Sequence, residues 1–250
     1  MNKKTIYGIF LLFITATVWG VAFVAQSVGM DYMNAFAFNC LRNIIGVMVL
    51  LPVLFYRRSK TRTQYRHNLE FNNNNANHLK NNIAVNTNHK KNKRPFTNTN
   101  NKQKKDLLFG GFVCGTALCI ASNFQQLGIQ YSTVGKSAFI TTLYIVFVPI
   151  FGLFLKKKVS VQTWIGVILA MIGLYLLCMK DEAFVLGIED IYLLLSAVFF
   201  TFQIMFVDYY VTKTDGVALS MMQFLVTAIL SGICMIFTEI PSISDIIASA

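Results

Sequence analysis

Seven blocks of apolar residues, each roughly 20 residues long, constrain the fold of this sequence more than any other feature. A helix of that length crosses a hydrocarbon core about 30 Å thick. Peptide groups in lipid must be hydrogen-bonded within the protein, which excludes open strands. We therefore predict an all-α fold, a polytopic transmembrane helix bundle. Its predicted spans lie at residues 6–26, 33–56, 107–128, 133–155, 161–179, 188–211 and 215–238.

The composition excludes an ordinary soluble protein. The chain is 55% hydrophobic and 13% charged, whereas a soluble domain is about 25% charged, and its mean hydropathy is +0.54. At the N-terminus, Lys3 and Lys4 precede an apolar run that continues through Phe23. That run is too long for the apolar region of a signal peptide, so we interpret it as a retained first helix.

The distribution of basic residues predicts the orientation. Of the 22 Lys and Arg residues, 13 lie between Arg57 and Lys105, and 19 fall on the same side of the seven predicted spans. Basic residues accumulate on the cytoplasmic side of membrane proteins. We therefore predict a multi-pass protein of the cytoplasmic membrane, with the N-terminus and the 57–106 segment in the cytoplasm.

The segment 57–106 differs in kind from the rest of the chain. It contains fourteen Asn residues and almost no apolar clusters, so it cannot bury enough surface to offset its ordering entropy. We predict a disordered loop rich in Asn and Lys. A tolerated insertion is favoured over a site for anionic lipid or nucleic acid, and we predict no nucleic-acid partner.

Two cations lie within the predicted spans. Arg42 is about nine residues into the second span, on the order of 14 Å from its start, and a charge at that depth is unfavourable unless it is compensated. It is either a substrate-anchoring residue in a cavity or a structural arginine bonded to helix-end carbonyls. Lys136 is one turn into the fourth span, so it can reach the membrane surface. If both face one cavity, that cavity attracts anionic solutes.

Uncharged residues give further candidates. Polar amides recur in the spans, and they serve either interhelical hydrogen bonds or a polar substrate; Gln126 and Gln203 are the preferred lining residues. Trp19 lies deep in the first span although tryptophan prefers the membrane interface, which indicates packing or a cavity. Pro149 removes the donor to the Ile145 carbonyl and predicts a bend in the fourth span.

The fifth span presents a smooth face. Gly166, Ala170 and Gly173 recur at helical spacing and predict close contact with another helix.

No arrangement typical of an enzyme is recognisable in the spans. The five cysteines lie in apolar blocks without CxxC spacing, and the three histidines all lie in the segment 57–106. We therefore predict no catalytic residues, no metal site and no cofactor.

A faint internal repeat relates the two ends of the chain. The second span can be laid over the seventh, and the first over the sixth. An offset of five spans places the copies in opposite orientations. Inverted repeats of this kind are typical of secondary transporters, which bind their substrate between the repeats.

Several stretches identify a resemblance. They are Val18–Phe23, Phe36–Arg42, the run from Asn123 through Pro149, and Trp164–Leu176. On these residues the chain resembles the EamA family of the drug/metabolite transporter (DMT) superfamily. The resemblance implies two inverted five-helix repeats around a central cavity. The residues it would place in that cavity are Trp19, Arg42, Gln126, Lys136 and Gln203.

This resemblance implies the domain organisation and the function. We expect a complete first repeat at 1–180, interrupted by the loop 57–106, and two helices of a second repeat at 187–250. The leading hypothesis is a secondary transporter of small polar metabolites such as amino acids, embedded in the lipid bilayer. A second copy or a missing C-terminal half would complete the cavity. The alternative is a truncated, non-transporting membrane protein or an assembly scaffold.

Overall fold

The computed structural model describes residues 3–82, 96–178 and 187–238. Within these ranges the regular elements are α-helices, and no strand is present. The helices are α1 (Lys3–Gly29), α2 (Ala35–Asn82), α3 (Phe96–Tyr131), α4 (Val134–Thr142), α5 (Tyr144–Phe154), α6 (Val161–Cys178), α7 (Ile188–Val211) and α8 (Gly216–Thr238).

Seven segments of these helices are long and apolar enough to cross a membrane, and α4 and α5 together form one of them. Each overlaps a span predicted from the sequence. The prediction of a polytopic all-α bundle is therefore confirmed. The segments are Thr5–Gly29, Ala35–Arg57, Asn101–Tyr131, Val134–Phe154, Val161–Cys178, Ile188–Val211 and Gly216–Thr238.

The structure differs from the predicted disordered loop at both of its ends. Helix α2 continues past the apolar segment to Asn82, and α3 begins at Phe96. A helix satisfies its main-chain hydrogen bonds within itself, so a polar composition that forbids a packed core does not forbid a single helix. Residues 83–95 of the predicted loop lie outside the described residues.

Helix α3 lies at the centre of the bundle, because its glycines allow two other helices to approach its backbone. A Cβ placed on Gly110 would lie 2.6 Å from the Tyr210 ring, and one on Gly128 would lie 2.5 Å from Leu193 Cγ. Since the contacts run in opposite chain directions, α3 and α7 are antiparallel.

The contact between α3 and α8 has the same cause. A Cβ on Gly115 would lie 2.6 Å from Val226 Cβ and 2.8 Å from the Gln223 carbonyl oxygen, and one on Gly111 would lie 2.6 Å from Met222 Cβ. These contacts advance together along both chains, so α3 and α8 are parallel.

Helices α2 and α8 pack antiparallel, with Gly46 against Phe224 and Gly232 against Cys40. These are the two spans that the internal repeat superimposes. Their antiparallel contact agrees with the opposite orientations that an odd offset predicts.

The smooth face of the fifth span does not form the predicted contact. No other side chain or helix in the described part of the chain comes within 4 Å of a Cβ placed on Gly166 or Gly173. The prediction of close packing there is wrong for the described residues. Small residues permit a helix contact but do not specify which helix makes it, and here α3 provides the close contacts.

The fourth span is interrupted at Leu143, between α4 and α5. The Thr142 hydroxyl donates to the Ala138 carbonyl at 2.6 Å, and such bonding back to the preceding turn bends helices. The Leu143 amide bonds to Ile140, one residue short of the α-helical partner. Pro149 lies within α5, so the interruption precedes the predicted bend at the Ile145 carbonyl.

Four helices meet in an apolar cluster formed by Phe23 of α1, Ile129 of α3, Ile140 of α4 and Leu193 of α7. By the predicted orientation, this cluster lies in the outer half of the membrane. It fixes the ends of these helices relative to one another and thereby positions the polar residues described next.

Candidate functional site

Arg42 meets a neutral partner inside the membrane-spanning part of the bundle. Its Nη1 donates to the Gln26 Oε1 atom of α1 at 2.9 Å. Among the described residues, no carboxylate lies within ion-pair distance of Arg42. Arg42 as a residue is of intermediate exposure. The sequence allowed two interpretations of Arg42, a substrate-anchoring residue or a structural arginine bonded to helix-end carbonyls. The structure does not contain the second arrangement, because Arg42 bonds to a side-chain amide.

Gln26 also holds Gln126. The Gln126 Nε2 atom donates to the main-chain oxygen of Gln26 at 3.2 Å, and Gln126 is fully buried. Gln26 itself is 3% exposed, and its own amide donates to the Ala22 carbonyl. Two of the predicted site residues, Arg42 and Gln126, are therefore joined through one residue that the sequence analysis did not name.

Lys136 was predicted to reach the membrane surface, and in the structure it does not. It is buried, and its Nζ atom lies 2.7 Å from Asp190 Oδ2 and 3.8 Å from Glu189 Oε1. Both carboxylates lie in the first turn of α7, where the helix dipole favours negative charge. Asp190 Oδ2 also accepts the Gly187 amide. The predicted ability of Lys136 to reach the surface is wrong, because an ion pair compensates its charge within the protein.

These contacts limit the hypothesis that Arg42 and Lys136 share one cavity, because the two side chains have different partners. Lys136 faces the carboxylates of α7, whereas Arg42 faces an amide of α1. Of these two cations, only Arg42 is then available to attract an anion.

The other two predicted site residues lie elsewhere. Gln203 Nε2 donates to Gln223 Oε1 at 3.1 Å, which links α7 to α8. Trp19 is 49% exposed on α1, and among the described residues no hydrogen bond or cation–π contact joins it to Arg42. The structure does not bring either residue to the Gln26–Arg42–Gln126 group.

Several buried polar atoms have no hydrogen-bond partner within the described part of the chain. They include the hydroxyls of Ser137 and Thr141 on α4 and of Ser196 on α7, and the Gln126 Oε1 atom. Buried polar groups are nearly always hydrogen-bonded in folded proteins. These atoms are therefore candidates for contact with a polar solute. The spacing of Ser137 and Thr141, one helical turn apart, is the sequence signal that could have identified two of these residues.

A second set of polar side chains forms hydrogen bonds within the bundle. Asn39 Nδ2 donates to Asn123 Oδ1 at 2.9 Å, and Asn123 Nδ2 donates to Ser231 Oγ at 3.0 Å. The Thr227 hydroxyl donates to the Gly115 carbonyl. These bonds join α2, α3 and α8, so here the polar amides serve helix packing.

The model of the EamA-like transporter family matches residues 6–69 and 92–179. A protein of Archaeoglobus fulgidus named "Uncharacterized transporter" is 26% identical over 236 residues, which are 94% of this chain and 60% of that protein. The chain thus spans less than two thirds of the length of this relative. No solved structure matches the chain.

Proposed function

The chain belongs to the EamA-like transporter family, and from this premise we propose that it is a secondary transporter of small polar metabolites such as amino acids or related compounds. The proposed location is the cytoplasmic membrane, with the N-terminus in the cytoplasm. The proposed cavity would be completed by further helices, from the rest of a longer protein or from a second copy.

The observation that carries this proposal is the Arg42–Gln26 bond. An arginine inside a membrane span marks a functional site by default, because its insertion is unfavourable by about 2.5–3.5 kcal/mol or more. Among the described residues its partner is a neutral amide, which leaves the guanidinium charge uncompensated there. A purely structural arginine would be expected to bond to helix-end carbonyls or to meet a carboxylate, as Lys136 does.

The buried atoms without partners support the same proposal. Ser137, Thr141 and Gln126 offer hydroxyl and amide groups on α3 and α4, on the helices that meet in the apolar cluster. Small-solute sites combine an apolar lining with a few such polar groups. The interruption at Leu143 lies beside Thr142, in the kind of broken span that transporters place at their substrate sites.

Uptake into liposomes tests the proposal. The natural full-length protein is reconstituted, and amino acids and sugar phosphates are screened for flux and counterflow. We expect the wild type to move at least one of these classes. Arg42→Ala is expected to abolish that flux while the amount of inserted protein is unchanged.

The matched control is Arg57→Ala, which removes an arginine from an exposed ion pair with Asp215 and should leave flux nearly unchanged. Wild-type protein that moves neither class would count against transport. Loss of membrane insertion in Arg42→Ala would show that Arg42 is needed for folding.

A further inference from the structure

The two cations within the spans differ in how their charge is balanced. Lys136 has two carboxylates within 4 Å, at 2.7 and 3.8 Å. Arg42 has one hydrogen bond, to an uncharged amide oxygen. Among the described residues, Arg42 is therefore the one of these two cations whose charge no carboxylate compensates.

The guanidinium has donors to spare. Arginine carries five N–H groups in a planar fork, and the bond to Gln26 uses one of them. The fork matches the oxygens of a carboxylate or a phosphate, which it binds through two parallel hydrogen bonds. Arg42 as a residue is of intermediate exposure, and the site requires that a solute reach these donors.

Gln26 holds the guanidinium without neutralising it. Its side chain is fixed at both ends, since Oε1 accepts from Arg42 and Nε2 donates to the Ala22 carbonyl. Its main-chain oxygen accepts from Gln126. A glutamate would have the same size and could make the same contact with Arg42. Such a glutamate would form a closed ion pair, and the site would lose its net charge.

We propose that Arg42 and Gln26 form a site for one anionic group of the substrate, a carboxylate or a phosphate, and that the neutral amide of Gln26 sets this charge selectivity. Gln126, bonded to the Gln26 main chain, places its unpartnered Oε1 atom in the same group of residues; this oxygen is an acceptor, so it suits a donor group of the substrate and not the anionic group itself. The inference rests on the proposed function and names the chemical class that the site accepts.

Equilibrium binding to the purified full-length protein tests the selectivity. The probes are amino acids, each compared with its own carboxamide, and sugar phosphates, each compared with the free sugar. The first comparison removes only a carboxylate and the second only a phosphate, so the two arms distinguish the sources of the anion. We expect the wild type to prefer the anionic member in one arm by about tenfold or more.

Three variants separate charge from packing. Gln26→Glu should remove the preference for the anion, because the carboxylate pairs with Arg42. Gln26→Met removes the hydrogen bond without adding charge, so it should keep the preference even if affinity falls. Gln162→Glu adds the same charge at an exposed position on α6 and should behave like the wild type.

The outcomes are distinct from those of the flux experiment. Equal binding of the anionic and neutral members by the wild type overturns the inference, as does a Gln26→Glu protein that keeps the preference. Anion-selective binding without flux would support the site and contradict transport. Flux without anion selectivity would support transport and overturn the site.

Discussion

The buried ion pair between Lys136 and Asp190 joins the start of α4 to the start of α7. Both side chains are nearly inaccessible, at 10% and 4% exposure. Removing charges from water is unfavourable, and the attraction between partners offsets that only while both are present. The pair should therefore act as a unit, in contrast to the exposed pair of Lys157 and Asp208.

Lys136→Met is expected to destabilise the protein by about 3–5 kcal/mol, because Asp190 would remain as a buried, uncompensated charge. The double variant Lys136→Met with Asp190→Asn should recover most of that loss, since the buried carboxylate is neutralised as well and only the more exposed Glu189 is left without Lys136. Thermal unfolding in detergent, followed by fluorescence, measures both.

The control for this pair is Lys157→Met, the same substitution in an exposed ion pair, with a cost of about 0–1 kcal/mol. A double variant no more stable than Lys136→Met would show that the pair does not act as a unit.

The residues of the site were only partly predictable from the sequence. Arg42 is conspicuous because a charge inside an apolar block is rare. Gln26 was not predicted as a site residue, since its role depends on which residue of α2 it faces across the turn between α1 and α2. The partner of Lys136 could have been suggested, because Glu189 and Asp190 fall at the same predicted membrane face. Their separations of 53 and 54 residues from Lys136 leave the pairing to the tertiary fold.

At the scale of helices, the glycines of α3 decide which neighbours it can approach. Gly115→Ala is expected to destabilise the protein by about 1–3 kcal/mol. The added methyl would meet Val226 Cβ at 2.6 Å and the Gln223 main chain at 2.8 Å, and the main chain cannot rotate away. Chemical or thermal unfolding measures the change.

Gly166→Ala is the matched control, because a Cβ there meets nothing within 4 Å in the described structure. It should be neutral or stabilising by up to about 1 kcal/mol, the helix preference of alanine over glycine. Equal destabilisation by both variants would contradict close packing between α3 and α8.

The helices themselves were well predicted and their contacts were not. Hydrophobic blocks define each span to within a few residues, because the bilayer fixes the length. The structure has an interruption at Leu143, ahead of the bend predicted at the Ile145 carbonyl, since the side-chain bond of Thr142 competes with the main chain. The packing face of α6 was mispredicted because glycine spacing is the same whether or not a partner helix is present.

At the scale of the whole molecule, α2 packs against α8, and these are the two spans that the predicted internal repeat superimposes. Gly46 meets Phe224 and Gly232 meets Cys40, so the two superimposed spans run in opposite directions. This arrangement and the distribution of basic residues predict which loops share a membrane face.

Cysteine labelling in intact cells tests that orientation. In a variant with the native cysteines replaced, Tyr32→Cys should react with a membrane-impermeant maleimide added outside. Ser160→Cys should react only after permeabilisation. Both positions are exposed in the structure. The reverse pattern would contradict the predicted cytoplasmic N-terminus.

The fold class of the molecule follows from composition and block length alone, whereas the division into two repeats stays a prediction. The repeat is weak in the sequence because most of its matches are apolar on apolar, and lipid and helix contacts select for that composition in any span.

The neutral amide beside Arg42 has a consequence for energetics across the membrane. A unit charge moved through a potential of 100 mV changes in energy by about 2.3 kcal/mol, and Arg42 lies two turns into α2, inside that field. With an anionic group bound, the two charges cancel and the field exerts little net force on them. In the proposed transport cycle, the membrane potential would therefore bias the return of the empty protein more than the passage of the loaded one.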